Sequence, residues 1–167
     1  MRRHSRRIAI GPLVGVAALI CAFVARPSDG ARSVASTACA AHVRHDVLPV
    51  WMRGGFSGPR PRVPYAIGEK GQIAGVLFAW PLHSPLLSGQ RNKILWVPRH
   101  LSKSVAPLWI RLQRMNGVQK VGAPVRRVIS TGPGPSYVDV PVAGCWRATL
   151  TWSGRRDTID LVYTAPS

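Results

Sequence analysis

Cys39-Ala40-Ala41-His42-Val43-Arg44-His45-Asp46 packs a thiol, two imidazoles and a carboxylate into eight residues. Imidazoles three apart beside a thiolate and a carboxylate are a donor set for Zn²⁺ or copper. Two features oppose that reading. Arg44 inserts a positive charge among the ligands, and Cys39 has a competing use in a disulfide. A solvated N-terminal segment is the simpler account, and no metal ligand is assigned.

Acid, base and nucleophile chemistry finds less support. Ser136 follows Gly132-Pro133-Gly134-Pro135, but neither a Gly-x-Ser-x-Gly elbow nor a following helix accompanies it. His83 and His100 are the candidate bases. The carboxylates of the body are Asp46, Glu69, Asp139, Asp157 and Asp160, and no two of them have the spacing of an acid/base pair. No catalytic residue and no cofactor site is assigned.

Six tryptophans, Trp51, Trp80, Trp96, Trp109, Trp146 and Trp152, invite ligand stacking. On alternating strands most such residues are core or rim. Trp109 differs, because it shares the polar phase of its strand with Arg111. An exposed Trp beside Arg is a binding-surface signal, and Trp109 with Arg111 is the candidate surface.

The charge is one-sided: 23 Lys and Arg against 6 Asp and Glu over the chain, net +17. From Ser36 onward 17 basic and 5 acidic side chains remain, so the surplus belongs to the body as well as to the leader. Part of it is compositional, since an Arg-, Ala-, Gly- and Pro-rich usage is what a GC-rich genome yields. Its functional reading is attraction to polyanions. Outside a cell those are anionic lipid head groups or wall polymers, and nucleic acid is not an expected partner.

The compartment follows from the N-terminus. Met1-Arg2-Arg3-His4-Ser5-Arg6-Arg7 precedes an uncharged run, Ile8 to Ala25, of 18 residues. Such a run lies between a signal-peptide core and a short membrane span, and its arginines hold the N-terminus in the cytoplasm. Ser33-Val34-Ala35 offers small residues for cleavage before Ser36, and Ala38-Cys39-Ala40 is a second site. Retention as a single anchor is the alternative. Ser5-Arg6-Arg7-Ile8 also resembles a twin-arginine signal, and Cys21 and Cys39 are weak lipidation candidates. On each route the body is extracytoplasmic. Cleavage before Ser36 leaves Cys39 and Cys145, one near each end of the body, and an oxidising compartment favours their disulfide. Cleavage after Ala40 would strand Cys145.

These residues must be positioned by strands. Past Ser36 the texture is short apolar runs punctuated by Gly and Pro, without a long helical period. Leu48–Met52, Ile73–Trp80, Ile94–Pro98, Val125–Ser130 and Tyr137–Val140 read as strands, and Gly54–Pro64 as an exposed loop. Leu108, Ile110 and Leu112 alternate with Trp109, Arg111 and Gln113. Trp146, Ala148, Leu150 and Trp152 share one face opposite Arg147, Thr149 and Thr151. Ser153-Gly154-Arg155-Arg156 turns the chain, and Ile159, Leu161 and Tyr163 resume the alternation as a hairpin. About seven or eight strands predict an all-β fold, one antiparallel Ig-like β-sandwich after an N-terminal signal or anchor helix. The division is 1–35 leader, 36–66 extended Pro/Gly/Arg-rich segment with a first strand, and 67–167 sandwich domain.

Pro141-Val142-Ala143-Gly144-Cys145-Trp146-Arg147 is similar to the Pro-x-x-Gly-x-Tyr entry of the penultimate strand in Ig-like exported modules. With Gly-Cys-Trp there, and with Asn92-Lys93-Ile94-Leu95-Trp96-Val97 and Gly132-Pro133-Gly134-Pro135-Ser136, the chain resembles uncharacterised exported Ig-like proteins of actinobacteria and related Gram-positives. The likeness spans roughly Ile67 to Thr164. It implies the sandwich, the exported compartment and an early cysteine paired with Cys145, and it implies no activity. Two function classes stand: a non-enzymatic envelope module that binds a partner, an anionic polymer or the membrane surface, and a secreted metal-handling protein or hydrolase.

Overall fold

A computed structural model describes Cys39, His42–Ser102 and Val105–Pro166. The leader and the first cleavage candidate lie outside the described residues, and of the second only Cys39 is described. None of the described helices is long and apolar enough to cross a membrane.

Ten strands follow in chain order: β1 Val43–Arg44, β2 Tyr65–Ile67, β3 Ile73–Leu77, β4 Leu82–His83, β5 Lys93–Pro98, β6 Leu108–Asn116, β7 Gln119–Ile129, β8 Pro135–Tyr137, β9 Gly144–Trp152 and β10 Arg155–Thr164. They form two five-stranded sheets, β1-β2-β3-β5-β8 and β4-β10-β9-β6-β7. The all-β sandwich is present, with more strands than expected: β1, β2 and β4 are added and are only two or three residues long. The pairings are antiparallel except for the two-residue parallel contact of β4 with β10.

Period-two alternation builds the core between the sheets. Ile73, Leu77, Ile94 and Trp96 from the first sheet meet Leu108, Ile110, Leu112, Trp146, Ala148, Leu150, Trp152, Ile159, Leu161 and Tyr163 from the second. Successive side chains of a strand point to opposite faces, so one phase of each run supplies this core. The β9–β10 hairpin closes through Ser153 (φ 43°) and Gly154 (φ 72°), the two left-handed residues that a tight hairpin turn demands. Trp146 donates its indole N–H to the Val142 carbonyl at 3.0 Å, and Tyr163 its hydroxyl to the Val138 carbonyl at 2.6 Å. Burial raises the Tyr163 phenol far above its ordinary pKa.

Leu48–Met52 is not a strand. Pro49 opens a 3-10 turn, Val50–Met52, which buries Leu48 and Met52 completely and leaves Val50 77% exposed. Proline lacks the N–H a ladder needs, and in a strand Val50 would share the face of Leu48 and Met52 instead of pointing to solvent. The remaining differences lie at strand ends. β3 stops at Leu77, β7 begins six residues earlier than Val125, and β8 is Pro135–Tyr137, leaving Val138 and Val140 buried in the core without strand pairing.

Buried polar groups tie the sheets together. The Asp157 carboxylate, 1% exposed, accepts the main-chain N–H groups of Lys70, Gln72 and Thr158 at 2.8–2.9 Å. This clamps the β2–β3 turn of one sheet onto the other. Gly68 lies against that carboxylate so closely that a Cβ there would overlap it.

Candidate functional site

The open face of the second sheet carries the candidate site. Strand register arranges its outward side chains in rows across β7, β6, β9 and β10. Val128, Trp109, Thr151 and Arg156 form one row, and Arg126, Arg111, Thr149 and Thr158 the next. Trp109 is 57% exposed, and Val128 beside it is 49% exposed. Trp109, Arg111, Arg126, Thr149, Thr151 and Arg156 line a shallow cleft of about 250 Å³. Arg111 and Arg126 stand directly opposite on neighbouring strands. Like charges in that position repel, so this register is unfavourable by itself. Among the described residues no carboxylate pairs with Arg111, Arg126 or Arg156. The polar contact of the Arg111 guanidinium is a 3.3 Å hydrogen bond donated to Gln113.

Further along the same face the charge is compensated. Arg147 makes a two-pronged ion pair with Asp160 at 2.8 and 2.9 Å and lies 3.5 Å from Glu69. The Asp160 hydrogen bond holds the Arg147 guanidinium more firmly protonated than usual. At the far end the face is covered. Cys39 and Cys145 are paired as a disulfide, Cα atoms 6.0 Å apart, and pack with Met115 and Val162 in a small apolar cluster. The sheet thus grades from apolar and covered, through neutralised, to cationic and bare.

The rival constellations are dispersed. Cys39 lies in the disulfide and His45 rests edge-on against Trp80 at 5.8 Å. Asp46 accepts the Tyr65 hydroxyl at 2.6 Å, a bond that lowers the carboxyl pKa, while burial raises that of the Tyr65 phenol. The three-residue grouping of potential ligands among the described residues is Cys39, Cys145 and Asp160, and its sulfurs form the disulfide. Ser136 accepts the Trp96 indole N–H at 2.9 Å, whereas His83 contacts Thr164 at 3.2 Å. Among the described residues no hydrogen bond joins Ser136 to His83 or His100.

A larger cleft of about 420 Å³ opens at the loop end, lined by Phe78, Trp80, Pro81, His83, Gln90 and Arg91. Arg91, the arginine lining it, is already engaged, and so is Lys93 against the lining Phe78. Arg91 lies 3.5 Å from Asp139 and 4.3 Å from the Tyr137 ring centre, and Lys93 lies 5.3 Å from that of Phe78. Volume alone favours this cleft; unpartnered charge favours the Trp109 face, and charge seeking a partner is the stronger reason to expect a ligand.

Strand alternation singles out Trp109 and Arg111 directly. Arg126 and Arg156 join them only through register. One sequence signal would have drawn attention to the region, because no Asp or Glu occurs between Glu69 and Asp139. No family model matches the chain, and neither a curated protein nor a solved structure does.

Proposed function

We propose that this protein is an extracytoplasmic, non-catalytic binding module whose open sheet face holds an anionic partner. The leader and the likeness to exported Ig-like proteins support the compartment. One observation carries the binding reading: Arg111 and Arg126 face each other beside Arg156 and the exposed Trp109 without a carboxylate partner among the described residues. A sheet face under pressure only to be soluble gains by mixing charge signs, as Arg147, Asp160 and Glu69 do further along it. A bound anion would relieve the Arg–Arg repulsion, and the Trp109 ring would supply apolar or stacking contact.

Retention on an anionic wall polymer or anionic vesicles, measured across a salt series, tests this reading. Retention should fall steeply between low and physiological salt, as contacts weaken beyond a Debye length of about 8–10 Å. Neutralising Arg111→Gln and Arg126→Gln together should abolish most of it. The pair Arg60→Gln and Arg62→Gln removes equal charge from the exposed loop and should retain binding. Flat salt dependence, or equal loss from the two pairs, would leave the charge as composition alone. A C-terminal reporter that works only outside the cytoplasm tests the compartment. It should be active on the full chain and silent after deletion of residues 1–35.

A further inference from the structure

We infer that the partner is an acidic polypeptide segment that adds as an extra strand to the free edge of β7. The inference rests on the anion-binding reading and names its partner class. Each sheet has two edges, and three of the four are short: β1 and β4 have two residues each and β8 has three. Short edges offer little to pair with. β7 is an edge strand of 11 residues whose pairing partner is β6.

Its first half is blunted. The register shifts between Leu112 and Arg114. There the buried Gln113 amide donates to the Val121 and Gly122 carbonyls at 2.9 and 3.1 Å. Pro124 has no N–H to offer. The second half is regular, with Val125 to Ile129 opposite Leu112 to Leu108. That leaves five residues, a typical strand length, along which the Arg127 guanidinium donates to the Arg126 carbonyl at 2.9 Å and the Asp139 carbonyl at 3.3 Å and has to turn to the added strand.

Charge decides what pairs there. Arg126 and Val128 project to the open face, while Val125 and Ile129 pack toward the core and Arg127 shares their phase. Two copies paired along this edge would bring arginine against arginine. The sequence also contains no two adjacent acidic residues with which a second copy could answer Arg126-Arg127. The complementary strand carries an acid opposite Arg126, an acid opposite Arg127 and an apolar residue opposite Val128. Its acid on the open face extends the Arg126–Arg111 row, and its apolar side chain extends the Val128–Trp109 row. Main-chain hydrogen bonds then supply affinity and the two rows supply selectivity, as in strand addition generally.

The test uses the protein with its disulfide intact. The probe is a capped peptide of about ten residues, since strands run to about that length, with Thr elsewhere and Val-Glu-Glu at its centre, the order that antiparallel pairing sets opposite Val128, Arg127 and Arg126. A second peptide of equal charge carries N-methyl groups on alternate amides, and long-chain polyphosphate and anionic phospholipid vesicles serve as non-peptide anions. The peptide should bind and slow amide exchange at Val125–Ile129 at least tenfold, and N-methylation should weaken it at least tenfold. Arg126→Glu should lose the Val-Glu-Glu peptide and accept one with Val-Glu-Lys in its place, since Arg127 still calls for an acid. Equal binding of the N-methylated peptide, or unchanged exchange in β7, would overturn strand addition. Binding of polyphosphate or vesicles without the peptide would also overturn it, while keeping the anion-binding face. Failure of all the probes would overturn both.

Discussion

The two sheets treat their outer faces differently. Behind the first sheet, Leu48, Met52, Tyr65, Ala74 and Val76 are fully buried in a second apolar cluster, flanked by Trp51, Phe56, Val63, Ile67, Leu95 and Val97. The chain between β1 and β2 folds over that face, and Arg53 pins it by donating to the Leu48 carbonyl at 2.7 Å. Behind the second sheet, cover among the described residues stops at the disulfide cluster, and the Trp109 end is exposed. A sheet covered on both faces is built from continuous apolar runs such as Ile73–Leu77, all five residues of which are buried. One with an open face alternates, as β6 does. An apolar outward phase is thus answered from within the chain. The phase that combines a large aromatic with arginines lacking a carboxylate partner stays uncovered among the described residues.

Four comparisons would break or sharpen this contrast. The largest effect belongs to the shared core. Trp146→Ala should cost about 3–5 kcal/mol, the usual range for truncating a buried aromatic. Trp109→Ala, on the outward phase, should change stability by no more than about 0.5 kcal/mol. Thermal melts compare the two, and a collapse of Trp109→Ala beside a parent-like Trp146→Ala would reverse the faces assigned here.

Next comes the cover of the first sheet. Leu48→Ala should cost about 2–5 kcal/mol, as in any tightly packed core. Val128→Ala on the bare face should fall within about 0.5 kcal/mol of the parent. Urea midpoints that shift equally for the two would mean that the faces do not differ in cover.

The disulfide covers the other end of the second sheet. Replacing Cys39 and Cys145 together by Ser should cost about 2–4 kcal/mol, below the chain-entropy limit for so long a loop because ordinary disulfides deliver less. Denaturant unfolding under non-reducing conditions measures it, and a parent-like midpoint would show the covered end to be held by packing alone.

The smallest effect, of opposite sign, is expected at the bare end. Removing the cross-strand repulsion with Arg111→Gln and Arg126→Gln should leave stability unchanged or raise it by about 0.2–1 kcal/mol. Loss of stability would mean that the two arginines serve the fold, which would weaken the case for a ligand.

Much of this contrast was legible residue by residue. Trp146, Ala148, Leu150 and Trp152 announce their buried face by alternation, and Trp109 announces an exposed one. Leu48–Met52 misled because a five-residue apolar run has no period of its own; Pro49 was the clue that it turns instead of extending. The Arg111–Arg126 pair was not legible, since 15 positions separate the two residues and the hairpin register that aligns them depends on the shift at Gln113. The buried role of Asp157 was equally hidden, because its hydrogen-bond donors Lys70 and Gln72 come from the other sheet, 87 and 85 residues away.

By itself the sequence determined the strand-rich architecture, the inward and outward phase of β6, β9 and β10, and the excess of positive charge. These follow from local chemistry: a pleated backbone turns alternate side chains to opposite faces wherever it forms. Tertiary structure alone decided which outward phase meets solvent and which lies beneath another segment. It also decided that Arg126 and Arg156 join Trp109 and Arg111, and that β7 is the long free edge. The reason is that cover, register and edge position depend on contacts between residues far apart in the chain, which no local pattern records.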